Sequence, residues 1–202
     1  MQFDYHADNV LEDELVRLSS MTNGHVDALS KISNDPVIWE YLMEDGMTYE
    51  AIRDYVHAAI EEREKLVAYP FVVWNKATQE IAGTTRLYEL NTSLRNIKVG
   101  HTWYGKAHRG SGVNQAAKFL LFEFLFDQLN MERIGFGVHE LNARSRAALR
   151  KVGATQEGVL RQFLPDTCGM ANNRRYDIIL FSLLKAEWNN HEKSTLKSEV
   201  LA

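Results

Sequence analysis

Three strand-like segments follow one another over residues 68–74, 81–90 and 96–104, parted only by the polar stretches 75–80 and 91–95. Connections this short cannot hold a crossover, so the three strands are predicted to form an antiparallel meander. A glycine-rich turn, Ala107-His108-Arg109-Gly110-Ser111-Gly112-Val113-Asn114, then feeds an amphipathic run over 114–129, and another strand follows over 133–139. A strand, helix and strand in this order require a right-handed crossover and parallel pairing of 96–104 with 133–139. Meander and crossover together specify an α/β domain around one mixed sheet. The spacing in 114–129 turns Ala117, Leu120, Leu121, Phe124, Leu125 and Leu129 inward and Lys118, Glu123 and Asp127 outward.

The remaining elements fit that frame. Residues 14–18 alternate like a strand after a polar leader to about residue 11, and 24–32 carry helical spacing. Asp35-Pro36 starts a turn or helix, because proline fits the first helical position. A long helix over 48–65 presents Ile52, Val56, Ala59 and Ile60 on one face and ends in the charge run Glu61-Glu62-Arg63-Glu64-Lys65, read as a solvated helix end. A helix over 142–151 closes at Gly153, and a strand pair follows over 155–164 and 174–183. The expected order is β-α-α-β-β-β-α-β-α-β-β, a single domain over 1–202 with its core at about 11–188. Its sheet has about seven strands, mostly antiparallel and flanked by helices, and a polar tail over about 189–202 is expected to be loosely held.

Composition narrows the function classes. With 202 residues, 45% of them hydrophobic, the chain can bury one sizeable core. A net charge of −4 argues against a nucleic-acid partner, which would call for a basic excess. The one cysteine, Cys168, cannot form an intrachain disulfide, and the first residues carry no secretory pattern. The longest apolar-rich stretch, 119–126, is interrupted by Glu123 and too short to span a bilayer. These features suit a cytoplasmic protein with no membrane anchor, and they leave a homo-oligomer open.

The glycine turn is the first functional signal. Backbone N–H groups at a helix N-terminus lack intrahelical partners, the helix dipole adds positive potential, and Gly110 and Gly112 permit close approach, so the turn suits a phosphate-bearing ligand. A plain strand-to-helix connection is the alternative. Residues 105–111 spell G-x-x-x-x-G-S without the lysine of a P-loop, and no G-x-G-x-x-G is present, which excludes the common nucleotide motifs.

Arg109-Gly110-Ser111-Gly112-Val113-Asn114, followed by Asn142-Ala143-Arg144-Ser145-Arg146-Ala147-Ala148-Leu149 and Val152-Gly153-Ala154, resembles the GCN5-related N-acetyltransferase (GNAT) superfamily. Leu15-Val16-Arg17-Leu18, Asp35-Pro36-Val37-Ile38-Trp39, the strand bearing Trp103, and Glu157-Gly158-Val159-Leu160-Arg161 narrow the resemblance to the branch of ribosomal-protein N-terminal acetyltransferases. The resemblance implies acetyl-CoA as cosubstrate and no metal. It places the pyrophosphate on Arg109, Gly110, Ser111, Gly112, Val113 and Asn114, and the pantetheine along Thr102, Trp103 and Tyr104, where the sheet splays. Asn142 is suited to cap its helix, and the resemblance adds a cofactor contact, with the cap alone as the alternative; the resemblance also implies that Ser145 serves as the acid, because the usual tyrosine position is Leu149, with a plain helix-surface serine as the alternative. In the commonest family pattern the arginine stands further from the first glycine; here Arg109 adjoins Gly110 and is available to support the turn.

His101 is a candidate base or water-holding group, with simple packing as its alternative; His139 and Glu140 are weaker candidates. Trp39, Tyr88, Trp103 and Tyr104 line a pocket or belong to the core. Asp35, Glu40, Glu44 and Asp45 attract a cationic acceptor or are ordinary surface carboxylates. The expected reaction is direct attack of a neutral amine on the thioester, with a backbone N–H near Trp103 stabilising the oxyanion and Ser145 or water protonating the thiolate. An α-amine near pKa 7.8 is neutral in roughly one molecule in ten at pH 7, against about one in a few thousand for lysine, which favours a protein N-terminus where the base is weak. Polyamine, aminoglycoside and amino-acid acceptors stay open, as does a non-catalytic acetyl-CoA sensor.

Overall fold

The computed structural model describes residues 3–165 and 174–201; Cys168 lies outside them. Eight strands form one sheet in the order β1-β2-β3-β4-β5-β6-β8-β7. β2 (Val16–Ser20), β3 (Ala68–Asn75), β4 (Glu80–Asn91) and β5 (Asn96–Tyr104) make the antiparallel meander, and β5 pairs in parallel with β6 (Arg133–His139) as the crossover required. β8 (Tyr176–Leu184) lies between β6 and the edge strand β7 (Thr155–Leu164). The additional strand is β1 (Val10–Glu12), which the polar leader conceals: only Leu11 is buried, and three residues are too few to show a period.

Helices cover both faces. α1 (Val26–Ser33), α2 (Pro36–Trp39) and α3 (Tyr49–Glu64) pack over one face with Val72, Ile81 and Trp103. α4 (Val113–Glu123), continued by a π-wound turn over Phe124–Gln128, and α5 (Ala143–Lys151) share the other core with Tyr69, Phe71 and Val73. The odd and even residues of β3 thus serve opposite cores, as a strand's period of two dictates.

Three expectations need correction. The C-terminal tail is not loose. A short α6 (Lys185–Glu187) leads through a π-wound turn (Trp188–Glu192) into α7 (Lys193–Leu201); Trp188 and Leu196 are buried. Trp188 fills a nest of Phe119, Phe122 and Phe126, with ring centroids 5.6, 5.9 and 5.9 Å away. This segment covers one side of α4, while Lys118, on the side facing the sheet, is 5% exposed against Thr102 and Phe136 rather than facing solvent. Nor is the end of α3 merely solvated. Arg63 donates to the carbonyls of Tyr5, His6 and Ala7 and lies 4.7 Å over the Tyr69 ring, pinning the leader, while Glu62 accepts from Arg86 at 3.0 Å.

Candidate active site

β5 and β6 are hydrogen-bonded only at Asn96↔Arg133, Ile97↔Ile134 and Lys98↔Gly135. Beyond that point the strands diverge, and the fork opens into a cleft of about 290 Å³ lined by residues 99–104 of β5 and 136–139 of β6. Part of the divergence is built into β5. Register shifts between Thr84 and Arg86 set one β4 residue opposite His101 and Thr102, and His101 takes a positive φ of 48°. That conformation costs a side-chain-bearing residue roughly 1–2 kcal/mol, and such strain is commonly kept where a site needs the side chain re-aimed.

The glycine turn stands at the mouth of the cleft, which Arg109, Gly110 and Asn114 help to line. Gly110 and Gly112 have φ of 75° and 82°, and a Cβ on either would meet nothing within 4 Å. Glycine is therefore demanded by backbone conformation, and the space above the turn is open. Among the described residues the N–H groups of 110–114 find no backbone acceptor, which leaves them available to an anion. Ser111 is occupied within the turn, donating from Oγ to the His108 carbonyl at 2.7 Å. If the turn holds a phosphate-bearing ligand, replacing Gly112 with leucine is expected to weaken binding of CoA, used as the probe, at least tenfold while costing about 1–2 kcal/mol of stability, read by calorimetric titration beside thermal melting; unchanged affinity would place the phosphates elsewhere.

Arg109 is held at two of its three guanidinium nitrogens. Its Nε donates to the Tyr104 carbonyl at 2.9 Å and Nη1 pairs with Asp35 at 2.9 Å. The arginine ties the turn to the end of β5 and to the N-cap of α2, where Asp35 also accepts from the Val37 N–H at 3.1 Å. Asn142 caps α5, accepting from the Ser145 N–H at 2.9 Å, and both residues line the cleft beside Leu149.

On the α1–α3 side, His101 Nδ1 and Glu44 Oε1 are 2.7 Å apart. Burial alone would raise the Glu44 carboxyl, but the His101 hydrogen bond and the charges of His101 and Arg86 outweigh it and hold the group below its ordinary value, so it remains a carboxylate. Arg86, 2% exposed, lies 4.6 Å over the Tyr55 ring and reaches Glu62 and Glu44. Trp39, Tyr55 and Trp103 pack with centroids 5.4–6.2 Å apart, so Trp39 and Trp103 belong to the core, although Trp103 also lines the cleft; Tyr88 meets the edge of His101 at 5.3 Å. His139 lies in an aromatic stack between Tyr41 and Tyr176, and Glu140 accepts from the Asp177 N–H and Arg174, so both have structural work at β6's end. Of the four acidic candidates, Asp35 and Glu44 are built into the site's walls, while Glu40 and Asp45 are exposed.

Sequence reasoning missed Arg86, Lys118 and the partnership of Glu44 with His101. Arg86 could have been noticed as a charge inside the apolar strand 81–88; the other two need the tertiary fold. Among the described residues no metal-ligand cluster is present, and no helix is long and apolar enough to cross a membrane.

The Acetyltransferase (GNAT) domain family profile matches residues 16–155. YdaF of Bacillus subtilis (strain 168), provisionally named a ribosomal N-acetyltransferase, is 29% identical over 112 residues, 55% of this chain; the match spans 58% of YdaF's length. The crystal structure of a GCN5-related N-acetyltransferase from Brucella melitensis superposes with a TM-score of 0.87 at 23% identity, covering 98% of this chain and 87% of that one. Mycobacterium smegmatis RimJ, solved in complex with CoA-disulfide, superposes with a TM-score of 0.76 at 20% identity, covering 95% and 93%. With its eight-stranded mixed sheet forked beside a glycine turn, this chain belongs to the GCN5-related N-acetyltransferase family.

Proposed function

We propose that the protein transfers an acetyl group from acetyl-CoA to a primary amine, with a protein N-terminal α-amine as the leading acceptor. The observation that carries this reading is the fork. Two unpaired strand edges lead from free N–H groups at a helix N-terminus to a histidine held by a carboxylate. This arrangement fits an extended, phosphate-bearing thioester: the turn offers donors to phosphate, and the free edge of 99–104 offers amide partners to the pantetheine. Acetyl-CoA supplies the activated acyl group.

The chain's own residues account for the rest of the chemistry. Glu44 fixes His101 through Nδ1 and favours the tautomer with its proton there, leaving Nε2 to take a proton from the incoming ammonium directly or through one water. An α-amine needs only this modest assistance, which agrees with a half-buried dyad rather than a deeply buried base. The backbone N–H near Trp103 is available to the oxyanion. Asn142 holds the start of α5 and with it Ser145 in the cleft wall. Similarity to YdaF supports a ribosomal-protein acceptor.

Thiol release from acetyl-CoA, measured across N-terminal peptides of ribosomal proteins, lysine peptides, polyamines, aminoglycosides and amino acids, tests the assignment. Turnover with N-terminal peptides is expected. Turnover with only a small amine would move the acceptor class, and binding of acetyl-CoA without turnover on any amine would favour a sensor. In the active enzyme, His101→Ala is expected to lower kcat by about 10²-fold or more, and Glu44→Gln by less. An unaltered kcat in His101→Ala would remove the dyad from the reaction.

A further inference from the structure

Lys118 is a buried cation with too few partners. It sits one helical turn beyond Asn114 on α4, lines the same cleft, and lies 5.8 Å from the centre of the Phe136 ring on β6. Its Nζ has a single hydrogen bond, to Thr102 Oγ1 at 3.3 Å, although an ammonium carries three donors. Thr102 is already bonded to Thr85 at 2.8 Å. The amine therefore stands between the two diverging strands with donor capacity left over.

No carboxylate answers it. Glu44 is taken by His101 and Arg86, Asp35 by Arg109, and Glu140 by Arg174. The titratable groups sharing its cleft are Tyr41 from the segment after α2, His101 and Tyr104 from β5, His108 and Arg109 from the turn, His139 from β6 and Arg144 from α5. All are neutral or cationic at neutral pH, so the pocket has an unmet need for negative charge. Burial pushes the Lys118 amine down to about 7, the range in which a proton donor works best at neutral pH.

The placement is also one-sided. Lys118 comes from α4, which shares its core with α5, the helix of Ser145 and Leu149, whereas His101 and Glu44 are joined on the α1–α3 side. We propose that Lys118, rather than Ser145, is the proton donor to the departing thiolate, taking the role that the tyrosine position, here Leu149, does not fill. As the thioester C–S bond breaks with its electron pair passing to sulfur, Lys118 gives one proton from Nζ to that sulfur, becomes a neutral amine, and is reprotonated from solvent.

This inference rests on the proposed acetyl-CoA reading, and the test separates the two. Free CoA is bound to the wild type and to Lys118→Met and Lys118→Arg variants, and ionisation of its thiol is followed by ultraviolet thiolate absorbance, with desulfo-CoA as the blank. A thiolate beside Nζ holds the ammonium, so thiol and lysine titrate as a coupled pair: thiolate absorbance is expected to begin at lower pH in wild type than in Lys118→Met, and Lys118→Arg, whose charge does not titrate, is expected to make the bound thiol about tenfold or more acidic than Lys118→Met does. In parallel, an NMR titration of the lysine ε-carbons of the wild type, needing no variant, should show one lysine titrating near neutrality and shifting when CoA binds. Equal thiol acidity in wild type and Lys118→Met, with CoA bound to both, overturns the Lys118 role and leaves the acetyl-CoA reading intact. Failure of CoA to raise the wild-type melting temperature overturns both.

Discussion

Replacing Lys118 with methionine is expected to stabilise the protein by about 4–5 kcal/mol at neutral pH and below, the gain vanishing in alkaline solution. The unfolded chain keeps the lysine proton up to the ordinary value of 10.5, whereas the folded protein releases it near 7. Below pH 7 both states carry the proton and the folded state bears the full cost of a buried charge. Between 7 and 10.5 the unfolded state binds more protons, so wild-type stability gains from rising pH; above 10.5 the penalty is gone. Methionine fills a similar volume without a charge, and Thr102 keeps its bond to Thr85. Denaturant unfolding of both proteins at about pH 6, 8 and 10 checks the result. A difference between the proteins that does not shrink with pH would show that Lys118 is not a buried, proton-releasing amine. Stability and proton delivery thus pull in opposite directions at this residue.

Truncating Trp188 to alanine is expected to cost about 3–5 kcal/mol, the range for emptying an aromatic site in a well-packed core. The indole is fully buried among three phenylalanines of α4 and its π-wound extension, and its Nε1 donates to Asp127 at 3.3 Å. Lys193, one turn later, pairs with Glu123 and Asp127, but those contacts are partly exposed and contribute little beside the ring. The cavity would loosen the C-terminal helix first, so hydrogen exchange should accelerate in 185–201 and along the back of α4. Thermal melting and exchange measured together decide the matter: a loss below about 1 kcal/mol would mean that the segment is not part of the core.

The meander was readable because 68–74, 81–90 and 96–104 are rich in β-branched and aromatic residues and are separated by short polar joints. The crossover followed from it, and the glycine turn was legible because positive-φ positions at a helix start leave a glycine signature. What could not be read was anything decided by a distant segment. Phe119, Phe122 and Phe126 gave no hint of Trp188, and the rule of an outward polar face placed Lys118 in solvent because its neighbours Thr102 and Phe136 lie on β5 and β6. Arg63 and Glu62 read as a charge run because their partners lie 24 to 58 positions away in sequence. His101 was legible as a candidate, but its bulge and its carboxylate depend on β4 and on the segment after α2. The site's backbone was therefore visible in local sequence, while its charge pairing was not.

The fork has a mechanical meaning as well as a chemical one. Three residue pairs are all that stitch β1–β5 to β6–β8 through the sheet, so the domain consists of two half-sheets sharing a short seam. A molecule lying along the free edges would lengthen that seam from within, and the protein would resist shear between its halves most strongly when loaded. Rigidity in this fold is then borrowed from the ligand and surrendered with each product released.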